Sequence, residues 1–390
     1  LENDVQLSEL ARVVAARLAA SAVARDKAGG TPKAERDLLR ESGLLNAIIP
    51  QEQGGLGAAW PSVLSAVRCI ARVDGSLAHV FGFHHLLLAT LRLFGPKEQW
   101  APWFADSAKN SWFWGNALNP LDRRTSIVEV ASGEYSVTGT KSFCSGALDS
   151  DRLVISANPN GEARLVIAAI PTNRSGIRLH KDWDNIGQRQ TDSGSVDFTD
   201  VRVFETEILK APGPLGSVFA SLRPCIAQLT LANVFLGIAE GAFQEAAHYT
   251  KTESNPWSTS GVETAAQDPY VLRNTGELYL ELQAARALTD IANGELEQAW
   301  QAGDDLTPAD RGRVAIAIAS AKAKTTRTAL DVTSRIFENM GAKATKAALG
   351  FDRFWRNVRT HTLHDPVEYK FRELGAFALN GELPKPSFYS

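Results

Sequence analysis

Apolar positions recur at helical spacing through the first part of the chain. Leu7, Leu10, Val13, Val14, Leu18 and Val23 keep a period of about 3.6. Gly29-Gly30-Thr31-Pro32 interrupts the run, and Lys33 to Leu45 resumes it. The stretch from Pro50 to Gly57 is a glycine-rich loop, after which Pro61 suits the first turn of a new helix, where its missing N–H would be unpaired anyway. An apolar helix from Leu77 to Phe94 carries His79, His84 and His85, and helix continues to about residue 110.

From Ser111 the period changes to two. Trp112–Asn116, Ile127–Val130, Tyr135–Gly139, Leu153–Ala157, Arg164–Ile170 and Gly194–Phe198 read as short strands. Turn residues separate them, among them Asn158-Pro159-Asn160-Gly161 and Asn173-Arg174-Ser175-Gly176. That spacing predicts a small β barrel or sandwich. Pro212-Gly213-Pro214 marks a return to helix over 215–253, 268–302, 307–341 and 352–377. Ala239, Ala242, Ala246 and the alanines from Ala315 to Ala323 let such helices approach closely in an antiparallel bundle. The expected fold is mainly α with a central β domain: an N-terminal helical domain over 1–110, a β barrel over 111–211 and a four-helix bundle over 212–390.

Composition narrows the function classes. A formal net charge of -3 over 390 residues leaves no basic footprint for nucleic acid. Cys69, Cys144 and Cys225 are far apart, which excludes a zinc ribbon and argues against a disulfide framework; Cys69 and Cys225 lie in apolar helical contexts expected to be buried. No apolar run approaches the roughly 18 residues of a membrane span, and the acidic start Leu1-Glu2-Asn3-Asp4 is unlike a signal core. These features predict a soluble cytoplasmic protein. The Pro50–Gly57 loop lacks the Lys-Ser/Thr ending that would let it cradle a phosphate.

The densest chemistry lies near the C-terminus, in Arg359-Thr360-His361-Thr362-Leu363-His364-Asp365-Pro366. Histidines at i and i+3 share a helix face, and the proline bends or ends that helix. Phe351-Asp352-Arg353-Phe354-Trp355-Arg356-Asn357 precedes them. Read blandly, such histidines cap carbonyls at a helix end; read functionally, they face a ligand.

Helices, then strands, then a helical bundle is the domain order of the acyl-CoA dehydrogenase superfamily, and three segments resemble its flavin-facing motifs. They are Phe113-Trp114-Gly115-Asn116-Ala117-Leu118-Asn119, Gly139-Thr140-Lys141-Ser142-Phe143-Cys144-Ser145-Gly146 and Gly187-Gln188-Arg189-Gln190-Thr191-Asp192-Ser193-Gly194. The resemblance covers essentially the whole chain. It departs at the dehydrogenases' catalytic glutamate, where this chain has His364-Asp365-Pro366. Phe81-Gly82-Phe83-His84, Asp182-Trp183 and the Phe351–Asn357 segment are similar instead to the flavin-dependent monooxygenases of that fold, the dibenzothiophene and methanesulfinate monooxygenases.

That resemblance implies an enzyme that takes reduced FMN from a separate NAD(P)H:FMN reductase, uses O2 as cosubstrate, and oxygenates the sulfur of a small organosulfur compound through a flavin hydroperoxide. The substrate would be an alkanesulfinate such as methanesulfinate, or a thiophene or thioether sulfur such as dibenzothiophene. The alternatives are the same chemistry on an aromatic such as indole, or an FAD-dependent acyl-CoA dehydrogenase with Asp365 as base. By the same resemblance His84 and His364 flank the reacting oxygen and the Ser145 hydroxyl supports it. His361, Trp114, Asn116 and Trp183 contact the flavin. Lys343 meets its phosphate, because Asn255 stands where relatives carry an arginine. A homotetramer follows from phosphate contacts made across subunits. His79 and His85 read as structural. Leu86 to Leu88, Phe81 and Phe83 suggest an apolar substrate wall, and His85, Thr90 and Arg92 could meet an anion. A sulfinate needs a cation in its pocket, and the sequence does not place one.

Overall fold

The structure, a computed structural model, describes residues 2–159, 162 and 164–390. The N-terminal region comprises α1 (Glu2–Ala19), α2 (Ala22–Ala28), α3 (Lys33–Glu41), α4 (Trp60–Ala71), α5 (Gly75–Phe94) and α6 (Lys97–Asn110). Pro61 sits in the first turn of α4, and the Asp74 carboxylate caps α5 by accepting from the Leu77 N–H.

Seven strands follow: β1 (Trp114–Ala117), β2 (Ser126–Ala131), β3 (Glu134–Lys141), β4 (Arg152–Pro159), β5 (Val166–Pro171), β6 (Ile177–Leu179) and β7 (Val196–Phe204). They form one curled sheet in the order β1-β4-β2-β3-β7-β6, with β5 pairing along β4. β4 runs parallel to β1 and β2, and the other pairings are antiparallel. β6 is only three residues long, too short to leave an alternating signature in the sequence. Of the turn expected at Asn158–Gly161, Pro159 ends β4, while Asn160 and Gly161 lie outside the described residues.

The C-terminal region holds α7 (Leu222–Thr252), α8 (Pro269–Ala302), α9 (Pro308–Met340), α10 (Asp352–His361) and α11 (Glu368–Asn380). The single helix expected over 352–377 is therefore two. Pro366 has no N–H to offer, and it disfavours helical backbone at Asp365. The chain leaves α10 through a tightened turn in which the His364 N–H donates to the His361 carbonyl at 3.1 Å. His364 consequently sits in the turn, not on the helix.

α5 and α7 run through the middle of one large apolar core, and a smaller core fills the curl of the sheet. By length and hydropathy both helices could cross a membrane, contrary to the expectation from apolar runs, but 94% of each such stretch is buried in the fold. Cys144 and Cys225 are buried; Cys69, expected to be so, is partly exposed.

Candidate functional site

A cavity of about 780 Å³ opens where α5, α7 and α10 meet the sheet loops. This is the size range of sites that bind drug-sized ligands and cofactors. On the α5 wall His79, Phe83 and Leu86 follow one another at i, i+4 and i+7, so they share one helix face. His79 Nε2 lies 3.0 Å from Ser145 Oγ, which lies 2.7 Å from Ser193 Oγ, itself 2.7 Å from Thr191 Oγ1. Thr191 donates to the Gln188 carbonyl at 3.0 Å. A carbonyl only accepts, so it sets the direction of the whole chain. Ser193 donates to Thr191, Ser145 donates to Ser193, and His79 Nε2–H donates to Ser145. Burial, helped by the neighbouring His364, pushes the His79 pKa down to about 3, consistent with a neutral Nε2–H tautomer.

The opposite wall is the end of α10. The His361 ring stands edge-on to His79 at 4.5 Å between centroids. It is buried, and neither of its nitrogens has a partner among the described residues. Burial first, then His79, lowers its pKa well below the ordinary value. At His364, Nδ1 lies 3.0 Å from Asp365 Oδ1. Lys322 Nζ donates to the same oxygen at 3.1 Å and to Gln228 Oε1 at 2.7 Å. Burial alone would raise the Asp365 pKa; the His364 hydrogen bond and the Lys322 charge outweigh it and hold the carboxyl far below its usual range. Asp365 is thus a fixed anion, and His364, which lines the cavity, has no partner for Nε2 among the described residues.

The sheet loops form the third wall. Phe143, Gln188 and Asp192 adopt positive φ angles of 59°, 53° and 48°, a strained conformation for side chains of this kind. Buried polar contacts brace the loops that carry them. Arg36 reaches Asp192 at 3.2 Å and the Gly146 and Asp149 carbonyls at 2.8 Å, tying both loops to α3. The Gln188 N–H donates to Asn357 Oδ1 at 2.7 Å, and a Cβ on Gly187 would come within 2.0 Å of the Arg356 carbonyl. Only glycine allows this approach of loop to helix. Trp183 donates its indole N–H to the Gln188 carbonyl at 2.8 Å and lies edge-on to Phe143 at the cavity mouth.

Of the residues singled out in the sequence, Asn116, Ser145, Trp183, His361 and His364 line this cavity, and His84, Trp114 and Lys343 do not. His84 is packed in the core instead. Its Nε2 donates to the Leu45 carbonyl at 2.8 Å and its Nδ1 accepts from the Trp114 N–H at 3.1 Å, so both nitrogens serve backbone inside the core. The Trp114 ring turns toward α6, where its indole N–H meets Ser107 Oγ at 2.9 Å. Lys343 is exposed on a short turn after α9. His79, set aside as structural, is the α5 histidine that reaches the cavity; its helical phase with Phe83 and Leu86 was the available signal. Arg223 and Arg359 also line the cavity; Arg359 belongs to the C-terminal segment singled out above, whereas Arg223 lies in no motif. Asp365, the one stand-in considered for the dehydrogenase base, is locked to Lys322 and His364.

Family models for the acyl-CoA dehydrogenase N-terminal, middle and C-terminal domains match residues 2–111, 118–201 and 229–369. The chain belongs to the acyl-CoA dehydrogenase family. Within it, the chain is 56% identical over 382 residues to a probable FMNH2-dependent monooxygenase, SfnC, of Pseudomonas putida, covering 98% of this chain and 96% of that one. Its fold superposes on methanesulfinate monooxygenase MsuC from Pseudomonas fluorescens with a TM-score of 0.97 at 55% identity, covering 98% and 99% of the two chains. FMN-bound TdsC from Paenibacillus sp. A11-2 gives 0.94 at 44% identity, covering 98% and 100%. These likenesses place the chain in the family's flavin-dependent monooxygenase branch.

Proposed function

We propose that this chain is the oxygenase component of a reduced-FMN-dependent monooxygenase that oxygenates the sulfur of a small organosulfur compound. The observation that carries the reading is the meeting of the His79–Ser145–Ser193 chain with His361 and His364 in a cavity whose only lining carboxylate, among the described residues, is Asp184 at the exposed mouth. Sulfur offers its own lone pair to an electrophilic oxygen, so the reaction requires no base on carbon. An acyl-CoA dehydrogenase does require one, and Asp365 is not available for it.

The cavity residues fit a flavin. Gln188 Oε1, His79 Nδ1 and both nitrogens of His361 are buried polar atoms without partners among the described residues, a costly arrangement unless a ligand meets them. Bound FMN, once reduced, would supply the two electrons that activate O2. Trp183 and Phe143 would cover the ring, and Asn116, Ser145 and Gln188 would meet its polar edge. Ser145, its own O–H committed to Ser193, presents an acceptor to the cavity. His364 Nε2 is placed to take and return a proton at the reacting oxygen, while Asp365 stabilises the imidazolium so formed. His79 and His361, neutral and surrounded by apolar rings, help keep water out.

The same reading includes a separate NAD(P)H:FMN reductase, a cytoplasmic location and a homotetramer. Leu272, Tyr279, Leu280 and Ile291 are exposed along α8, a stripe that association between copies would cover. Lys343, exposed in one copy, would then reach the FMN phosphate of another. Stopped-flow mixing of the protein and reduced FMN with oxygenated buffer tests the core of the reading. A flavin–oxygen species that persists longer than free reduced FMN survives, and decays faster with an organosulfur compound, is the expected result. Tightly held FAD that an acyl-CoA bleaches would overturn it.

A further inference from the structure

Arg25, Arg36, Arg223, Arg311 and Arg353 are the buried arginines among the described residues. Four of them have acceptors that account for their burial. Arg25 meets Asp74 and the Leu18 carbonyl, and Arg36 meets Asp149 and Asp192. Arg311 meets the carbonyls of Ser221 and Ser390, and Arg353 meets Glu245. Arg223 has neither a carboxylate nor a carbonyl as partner among the described residues. Its one hydrogen bond runs from Nε to Thr90 Oγ1 at 3.2 Å, and Thr90 spends its own proton on the Leu86 carbonyl at 2.7 Å. Nη1 and Nη2 have no acceptor among the described residues, and Arg223 lines the cavity. Burial lowers its pKa only to about 10, so it remains a cation at neutral pH. Taking a guanidinium out of water without a counter-ion is strongly unfavourable. A fold that pairs its other buried arginines and leaves this one open has built a place for an anion.

We infer that Arg223, oriented by Thr90, is the anchor for an anionic substrate and makes this enzyme selective for small alkanesulfinates over neutral sulfur compounds. The inference rests on the reading given under Proposed function. A sulfinate presents two oxygens to the two free Nη groups, the geometry in which a guanidinium binds most strongly. Phe83 and Leu86 on α5 and Ala227 on α7 add apolar lining for a short alkyl group. In the reaction the sulfinate lone pair becomes the third S–O bond and sulfur loses two electrons. The O–O bond of O2 breaks, and the second oxygen leaves as water with the two hydrogens given up by reduced FMN. The overall change is RSO2⁻ + O2 + FMNH2 → RSO3⁻ + FMN + H2O. The product keeps the charge of the substrate, so Arg223 holds both.

The test has two arms. In the first, methanesulfinate oxidation with reductase-supplied reduced FMN is measured for the wild type, Arg223→Gln and Arg223→Lys. The glutamine variant is expected to raise KM by about 30-fold or more, and the lysine variant by less, because a charge without the fork is retained. An unchanged KM in Arg223→Gln overturns the inference. So does a loss of affinity for FMN without one for riboflavin, which would make Arg223 a cofactor-phosphate ligand. The second arm uses wild-type protein alone and needs no variant to fold. Methanesulfonate, an unreactive anion, is expected to raise the melting temperature, and dimethyl sulfone, neutral and of similar shape, is not. Equal shifts, or none with the anion, overturn the anchor. If the wild type oxidises no sulfur compound although the anion still stabilises it, the reading of the function has failed and the anion site stands.

Discussion

His79 and His84 lie on the same helix, both buried, five residues and so about one and a half turns apart. What separates them is where their ring nitrogens go. His84 gives both to backbone, one on each side, and so clamps the loop at Leu45 to the start of β1. His79 gives one to a hydroxyl chain that ends on the cavity wall, and the other has no partner among the described residues. Burial alone therefore does not distinguish a structural histidine from a working one. The distinction lies in whether its partners are fixed backbone groups or groups that a ligand can rearrange.

Acid tests what the two share and should give the largest effect. His79, His84, His85 and His361 all have pKa values lowered by burial, to about 3 for His79 and about 4 for His84. Unfolded, they would take protons below about pH 6.5, which the folded state refuses. The stabilisation from keeping them neutral is intact above that pH and is lost as pH falls toward the folded values. Each contributes a slope of roughly 1.4 kcal/mol per pH unit, about 5 for the four together. Denaturant unfolding from pH 7 to pH 4 should show it; a flat profile would mean that these rings are not buried neutral.

Substitution then separates the pair. His84→Ala removes partners from the Leu45 carbonyl and the Trp114 N–H and leaves a cavity, at a cost of roughly 3–5 kcal/mol. His79→Asn should leave most of the stability in place and lower oxygenation by about 100-fold. Unfolding curves and turnover of both variants decide the matter, and the reverse pattern would invert the assignment. Ser193→Ala, which removes the acceptor of the Ser145 proton, should reduce turnover by about tenfold. The smallest effect concerns Cys144, next to Ser145 but facing the sheet core. Burial pushes its thiol up to about 12, so an alkylating reagent should spare it in the native protein and leave turnover unchanged. Mass mapping after brief labelling checks this.

The change of hydrophobic period at Ser111 and its return after Pro214 made the order helices, sheet, helices legible, and three ordered motifs made the family legible. The resolution within the site was poorer. The Phe-Gly-Phe-His motif drew attention to His84, yet a helix face is set by phase, and His79 shares its phase with Phe83 and Leu86. Trp114 resembled a flavin contact by its strand, but a large ring goes where the apolar volume is, here against α6. The break between α10 and α11 was foreshadowed by Pro366; the carboxylate and lysine that orient His364 could not be, because Lys322 comes from a different helix. Arg223 was hidden for a related reason. An arginine without a counter-ion is recognisable only once every possible partner has been located.

A cavity that delivers one atom of O2 to sulfur leaves that atom traceable in the product. The most direct measurement supplies wild-type protein with methanesulfinate, reductase-generated reduced FMN and isotopically labelled O2, and weighs the methanesulfonate formed. One labelled oxygen in each product molecule is the predicted result. Methanesulfonate without label, or labelled hydrogen peroxide with no sulfonate at all, would contradict it.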